Sequence, residues 1–106
     1  MPRENAYQPK LIKKLREMFP GCVILKNDSG YLQGVPDLSI FYGSRWAMLE
    51  VKKDANSPYE ANQEYYLDLF DRMSFAARID PSNEEEVLRA LQYALESCGN
   101  TRLPRR

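Results

Sequence analysis

The sequence predicts an α/β domain in which helices flank one mixed β-sheet, with the element order α-β-β-β-α-β-α. Three observations predict this fold class. Apolar residues recur at helical spacing in three segments, and short apolar runs of strand length lie between them. A helical segment also follows a predicted hairpin and leads into a further strand. Because such a crossover joins parallel strands, the sheet should contain both parallel and antiparallel pairs.

The length and composition suit a single domain. The chain has 106 residues, of which 43% are hydrophobic and 28% are charged, enough for one modest core. We expect residues 1–100 to form this domain and residues 101–106 to be a basic tail. No apolar run reaches membrane-spanning length, and the first ten residues contain no signal-peptide core. A soluble protein with no membrane partner is therefore expected.

The first half of the chain contains one helix and three strands. Apolar residues at i, i+1, i+4, i+7 and i+8 predict a helix over residues 8–19, which a Pro-Gly pair ends. The apolar run at 22–25 predicts a short buried strand. Strands over 37–42 and 46–53, both apolar on two faces, predict a hairpin that a helix covers on each side.

The second half contains two helices and one strand. Ser57 as N-cap, Pro58 as the first helical residue and Glu60 two residues later predict a helix that runs to about Met73. Its apolar stripe includes Met73. Residues 75–79 predict the fourth strand. A capping box that begins at Ser82 opens the last helix, whose expected inward residues are Val87, Leu88, Leu91 and Leu95.

The composition excludes several classes of active site. The chain has no His, which removes hydrolases with a His base and His-ligated zinc sites. Cys22 and Cys98 form no CxxC pair, so we expect reduced thiols. The net charge is zero, but residues 1–53 carry nine basic and five acidic residues, whereas residues 54–106 carry six and ten. A basic first half suits a polyanionic partner, although chance remains an alternative for such small counts.

The hairpin places charged residues opposite one another. If Gly43-Ser44 is a two-residue turn, Asp37 faces Glu50 directly, with Cβ atoms about 5 Å apart. Lys52 points to the same face as Glu50. Two facing carboxylates are unfavourable unless a positive charge lies between them, and a divalent cation with oxygen ligands needs no His. A three-residue loop would instead move Asp37 off this face.

These residues resemble a nuclease motif. Pro36-Asp37, followed after twelve residues by Glu50-Val51-Lys52, resembles the PD-(D/E)XK nuclease superfamily with its restriction-endonuclease-like mixed sheet. Within the superfamily the chain looks like a VRR-Nuc domain over roughly residues 4–95. The further matching positions are Glu4 and Gln8, the turn Lys26-Asn27-Asp28-Ser29-Gly30, Gly34-Val35 before Pro36, Lys53 and Gln63.

The resemblance implies metal-dependent hydrolysis of DNA phosphodiester bonds. Asp37 and Glu50 would bind Mg²⁺ or Mn²⁺, with the backbone carbonyl of Val51 as a further ligand. The metal would polarise the scissile phosphate and lower the pKa of a bound water. Glu4 would reach the metal from the start of the first helix, although Pro9 interrupts the helix that this geometry requires. No organic cofactor is implied.

Lys52 and Gln63 complete the set of implied catalytic residues. Lys52 would orient the attacking water or offset charge in the transition state, and it could act as the base only with a strongly lowered pKa. Gln63 lies on the apolar stripe of its helix, where a polar side chain needs a partner. It either stands beside the metal site or is a boundary residue half in solvent, and both interpretations remain open.

Basic residues elsewhere have two open interpretations, as a solvated surface or as contacts to a phosphate backbone. They are Lys10, Lys13, Lys14 and Arg16 on the first helix, Lys53 and Arg78 near the site, and Arg102, Arg105 and Arg106 in the tail.

The leading functional hypothesis is a small endonuclease specific for branched or four-way junction DNA, acting as a homodimer. Some of the apolar residues Phe19, Tyr31, Leu32 and Val35 are expected to remain exposed at a dimer interface. The alternatives are a catalytically silent DNA-binding or assembly module with the same fold, and a small α/β protein with a chance motif. Since compact nucleases of this kind are frequent in bacterial viruses, a bacterial cytoplasm is the expected location, with a phage gene as one origin.

Overall fold

A computed structural model describes residues 6–96, which form three helices and four strands in the predicted order. Glu4, Cys98 and the predicted tail at 101–106 lie outside the described residues, so the expectations for them stay predictions. The elements are α1 Tyr7–Met18, β1 Val23–Lys26, β2 Leu38–Tyr42, β3 Arg45–Val51, α2 Gln63–Met73, β4 Ala76–Ile79 and α3 Glu84–Glu96.

The four strands form one mixed sheet in the order β1-β2-β3-β4. β1, β2 and β3 are antiparallel neighbours, whereas β4 runs parallel to β3. α2 is the crossover that connects these two parallel strands. The predicted α/β class with a mixed sheet flanked by helices is therefore confirmed.

Helices cover both faces of the sheet. α1 and α3 pack on the face that contains the core, and the predicted inward residues of α3 are all buried there. α2 packs over β3 and β4 on the opposite face, where the Phe70 ring meets Trp46 edge-on at a centroid distance of 6.3 Å. The core comprises Leu11, Ile12, Leu15, Phe19, Leu38, Ile40, Ala47, Leu49, Val51, Ile79, Val87, Leu88, Leu91 and Leu95.

Two sequence predictions about exposure are wrong. β1 is not buried, because it is an edge strand whose Val23 and Leu25 side chains are 53% and 50% exposed. Met73 at the end of α2 is also exposed. Among the four apolar residues of which some were expected to stay exposed, Tyr31 is 89% exposed, whereas Phe19 is buried and packs edge-on against Tyr42.

The start of α2 also differs from the prediction. The helix begins at Gln63 rather than near Pro58, and residues 52–62 form a loop. Ser57 does not cap the helix, since its hydroxyl donates to Oδ1 of Asp54 at 3.1 Å. Arg78 binds the backbone carbonyls of this loop, so contacts across the fold override the local capping signal. Within residues 6–96, no helix combines the length and apolarity that a membrane crossing requires.

Candidate functional site

The β2–β3 hairpin brings Asp37 and Glu50 to the same end of the sheet. Tyr42 pairs with Arg45 and Leu38 pairs with Leu49, which is the predicted register of a two-residue turn. One step beyond the last pair, Asp37 stands opposite Glu50. Oδ2 of Asp37 accepts a hydrogen bond of 2.9 Å from the backbone N–H of Val51. The first carboxylate is therefore held against the strand that carries the second.

Pro36 explains why a carboxylate takes this hydrogen bond. In the register of the hairpin, Val51 stands opposite Pro36, which has no N–H to donate back. The carbonyl of Pro36 accepts instead from Nδ2 of Asn27 at 2.8 Å, and the backbone N–H of Asn27 donates to the carbonyl of Asp37 at 2.8 Å. Asn27 thus draws the chain before β2 towards β1, and the Asp37 carboxylate replaces the missing acceptor for Val51.

Glu50 is a buried carboxylate, and one of its two oxygens has no hydrogen-bond partner among the described residues. Its side chain is only 3% exposed. Oε2 accepts from Nε2 of Gln63 at 2.8 Å and lies 3.4 Å from Nζ of Lys52. Oε1 is buried and has no hydrogen-bond partner among the described residues. An unsatisfied buried acceptor is costly, so this oxygen calls for an explanation.

Burial perturbs both carboxyl groups, and the charge of Asp37 adds to the perturbation of Glu50. Burial, together with the nearby charge of Asp37, raises the pKa of Glu50 to about 7 from its ordinary value of 4.5. Burial also raises the pKa of Asp37, although the N–H of Val51 and the charge of Lys52 oppose this rise. Two desolvated carboxyl groups side by side are electrostatically unfavourable without a nearby cation.

Gln63, the first residue of α2, connects Lys52 to Glu50. Its Oε1 accepts from Nζ of Lys52 at 2.9 Å and from the backbone N–H of Glu60 at 2.7 Å, while its Nε2 donates to Glu50. Gln63 is half-buried and stands beside the carboxylates; its place beside a metal stays a prediction. It orients the ammonium and one carboxylate oxygen.

The carboxylates line an open pocket of about 490 Å³. One wall comes from the loop over residues 52–62. The lining residues are Ser29, Asp37, Glu50, Val51, Lys52, Lys53, Ser57, Pro58, Glu60 and Gln63. The sequence did not single out Ser29, Ser57 or Glu60 for this site, because loop residues carry no periodic signal.

Arg78 holds the loop that forms this wall. Its Nη2 atom donates to the carbonyls of Asp54, Ala55 and Ser57 at 3.2, 3.2 and 2.6 Å. Its guanidinium also lies 5.0 Å from the centre of the Tyr59 ring. With its side chain only 17% exposed, Arg78 is committed to the loop, which disfavours the predicted role as a DNA contact.

Gly34 allows the loop before Asp37 to pack against the start of α2. Gly34 has a φ of +95°, and a Cβ built there would lie 2.5 Å from Cβ of Asn62 and 2.8 Å from the carbonyl oxygen of Ala61. Any other residue would therefore clash with backbone and would also be strained. This close approach gives a physical reason for the glycine two residues before Pro36.

Comparison with known proteins finds no matching family model, no similar curated protein and no similar solved structure. The residues of the site therefore carry the functional inference.

The arrangement is chemically suited to a hard divalent cation. Mg²⁺ is commonly bound by one or two carboxylates together with water and substrate phosphates, and a complete protein cage is not needed. Within residues 6–96 no group of three or more Asp, Glu, Cys or His could hold a metal ion, so Asp37 and Glu50 would bind it as a pair. The free Oε1 of Glu50 fits a cation as its missing partner.

Proposed function

We propose that this chain is a Mg²⁺- or Mn²⁺-dependent endonuclease that hydrolyses DNA phosphodiester bonds, with the restriction-endonuclease-like fold and site of a VRR-Nuc domain. The buried, unpartnered Oε1 of Glu50 beside Asp37 is the observation that carries the proposal. The hairpin register and the parallel β3–β4 pair support the finer fold assignment.

Asp37, Glu50 and the carbonyl of Val51 would hold the cation. The N–H and C=O of one strand residue point to the same side, and the N–H of Val51 points to Asp37. Its carbonyl is therefore expected on that side as well, where Pro36 offers no N–H. When bound, the cation polarises a phosphate and lowers the pKa of water. Lys52 Nζ, oriented by Gln63, stabilises negative charge on the phosphate or positions the nucleophile.

A catalytically silent DNA-binding or assembly module is the second candidate. Two observations favour it: within residues 6–96 no group of three or more Asp, Glu, Cys or His could hold a metal ion, and Lys52 is already engaged by Gln63. Glu4, the implied further acid, lies outside the described residues. The two candidates differ in one measurable property, which is hydrolysis in the presence of Mg²⁺.

Cleavage of labelled DNA tests the proposal. Wild type should cut at least one of duplex, nicked, flapped or four-way junction DNA in Mg²⁺ or Mn²⁺, and a preference for branched substrates is expected. Asp37→Asn, Glu50→Gln and Lys52→Ala should each abolish cutting, whereas Asp68→Asn, a matched change at an exposed carboxylate of α2, should not. Undiminished cutting by Asp37→Asn would refute the site.

We also propose a homodimer, because a junction requires two cuts and each chain supplies one site. Val23 of β1 pairs with Phe41 of β2, and Leu25 lies on the same face of the sheet. The exposed fractions are 53% for Val23, 40% for Phe41 and 50% for Leu25. Such a patch is typical of an interface. Light scattering at micromolar concentration should give about 25 kDa, twice the 12.3 kDa of one chain; a mass of one chain, with and without junction DNA, excludes the dimer.

A further inference from the structure

A second pocket with a basic lining lies between α1 and the edge strand β1. It has a volume of about 540 Å³. Ile12 of α1 and Ile24 of β1 contribute apolar surface, and Lys13, Arg16 and Lys26 contribute positive charge. Glu17 is the one acidic residue of the lining. We call this feature the α1–β1 groove.

The three basic residues of the groove are not neutralised by the rest of the described chain. Five ion pairs form within residues 6–96, and none of them includes Lys13, Arg16 or Lys26. All three side chains are exposed. Three cations around one concave surface raise its positive potential, because each adds to the field of the others and Glu17 is the one acidic residue of the lining. The groove is therefore electrostatically suited to an anion.

One residue of the groove, Lys26, lies at the same end of the sheet as the carboxylate pair. The groove is on the α1 face of the sheet, whereas Asp37 and Glu50, which alternate with the core residues Leu38 and Leu49, point to the opposite face. Lys26 is the last residue of β1 and pairs with Leu38, the residue after Asp37. The next residue, Asn27, donates its backbone N–H to the carbonyl of Asp37. The Cα atoms of Lys26 and Asp37 therefore lie within roughly 10 Å of each other, since one pairing step and one chain step separate them. About three nucleotides span this distance along one strand of a duplex.

We propose that the α1–β1 groove binds the phosphate backbone of the DNA whose scissile bond lies at the carboxylate pair. Only the location of the scissile bond at the carboxylate pair rests on the proposed function; binding of the DNA backbone in the groove does not. Arg16 and Lys26 stand on opposite walls and contact phosphates on the two sides of the groove. Contacts of this kind position the DNA and give no sequence preference, because the phosphates are the same at every base pair.

Binding of a labelled DNA duplex by the full chain in EDTA tests the groove without any cleavage. The variant Arg16→Ala/Lys26→Ala is compared with Arg72→Ala/Arg89→Ala, which removes the same charge from exposed positions of α2 and α3. The dissociation constant is measured between 50 and 200 mM salt, and unchanged thermal melting shows that each variant is folded.

The groove variant should weaken binding about tenfold at 100 mM salt, and its slope of log Kd against log salt should fall by about 2, one for each lost phosphate contact. The control should keep both values close to wild type. Equal losses of DNA affinity in the two variants would mean a general charge effect and would refute the proposal that the groove binds DNA. Unchanged binding by the groove variant would also refute it.

Failure of the groove and failure of the nuclease give different results. If wild type cuts DNA in Mg²⁺ but the groove variant binds like the control, the groove is wrong and the nuclease stands. If the groove variant loses binding but wild type cuts no substrate, the groove is a DNA-binding surface and the nuclease is wrong. Absence of any binding by wild type overturns the groove, and cleavage alone then decides the nuclease.

Discussion

Glu50 should destabilise the metal-free protein at neutral pH, and the loss of unfolding free energy follows from the shift in its pKa. The pKa rises from 4.5 to about 7 on folding. A rise of about 2.5 corresponds to about 3 kcal/mol at 1.36 kcal/mol per pKa unit. Because the side chain is only 3% exposed, solvent screening reduces this figure little. Folding binds a proton between these two pKa values, so stability falls as the pH rises through that window and stays low above it.

Replacing Glu50 by Gln should therefore stabilise the protein in the absence of metal. The carbonyl oxygen of the new side chain can accept the hydrogen bond from Gln63, as Oε2 does now. Its amide group can donate to the neighbouring carboxylate of Asp37, which removes both the repulsion and the unpartnered oxygen. The free energy of unfolding should rise by about 2–3 kcal/mol at pH 8 and by close to zero at pH 4.5.

Urea unfolding in EDTA at pH 4.5, 6 and 8 measures this difference. All other ionisable groups are common to wild type and Glu50→Gln, so the difference between the two curves reports Glu50 and its interactions with Asp37 and Lys52. The matched control Glu96→Gln, an exposed position at the end of α3, should change stability by less than about 0.5 kcal/mol at every pH. A loss of stability in Glu50→Gln at pH 8, or a gain of the same size at pH 4.5, refutes the reasoning.

Three further predictions concern the metal, the loop and the α1–α3 contact. Mg²⁺ at ten times its Kd should raise the unfolding free energy by about 1.4 kcal/mol in wild type and not in Asp37→Asn, by thermal melting. Arg78→Lys should lower kcat/KM for DNA cleavage about tenfold and speed proteolysis within residues 53–62, because the single ammonium of lysine cannot face the loop carbonyls and Asp80 at once as the guanidinium does; unchanged proteolysis contradicts this. Lys14 and the hydroxyl of Tyr7 lower the pKa of Glu84. Glu84→Gln should therefore be less stable than wild type at pH 7, and the difference should vanish as the pH falls below the lowered pKa, in urea unfolding.

The geometry of the carboxylate pair could be predicted because it depends on local sequence. A two-residue turn sets every pair of an antiparallel hairpin, so counting from Gly43-Ser44 places Asp37 opposite Glu50. The period of two then puts Lys52 beyond Glu50 on the same face. The element order was predictable for a similar reason, since each helix and strand has its own hydrophobic period.

The loop between β3 and α2 could not be predicted because distant residues shape it. Ser57 and Pro58 have the local pattern of a helix start, yet α2 begins at Gln63. Arg78 lies more than twenty residues further along the chain, and its bonds to three loop carbonyls favour the loop over another turn of helix. The exposure of β1 could not be predicted for a related reason. A short apolar run can form either an edge strand or a central strand, and the sequence alone does not distinguish the two.

The same tertiary contacts make the site more specific than its sequence motif. The carbonyl of Pro36 accepts a hydrogen bond from Asn27, and Pro36 has no N–H. Pro36 therefore pairs with neither the N–H nor the carbonyl of Val51, which stands opposite it in the hairpin. The Asp37 carboxylate satisfies the N–H, whereas the carbonyl receives no ladder hydrogen bond from Pro36. A Pro-Asp pair on its own would not produce this arrangement, because the displaced Pro36 carbonyl also needs the amide of Asn27. The motif and the Asn-containing turn before it therefore act together to turn a strand end into a candidate cation site.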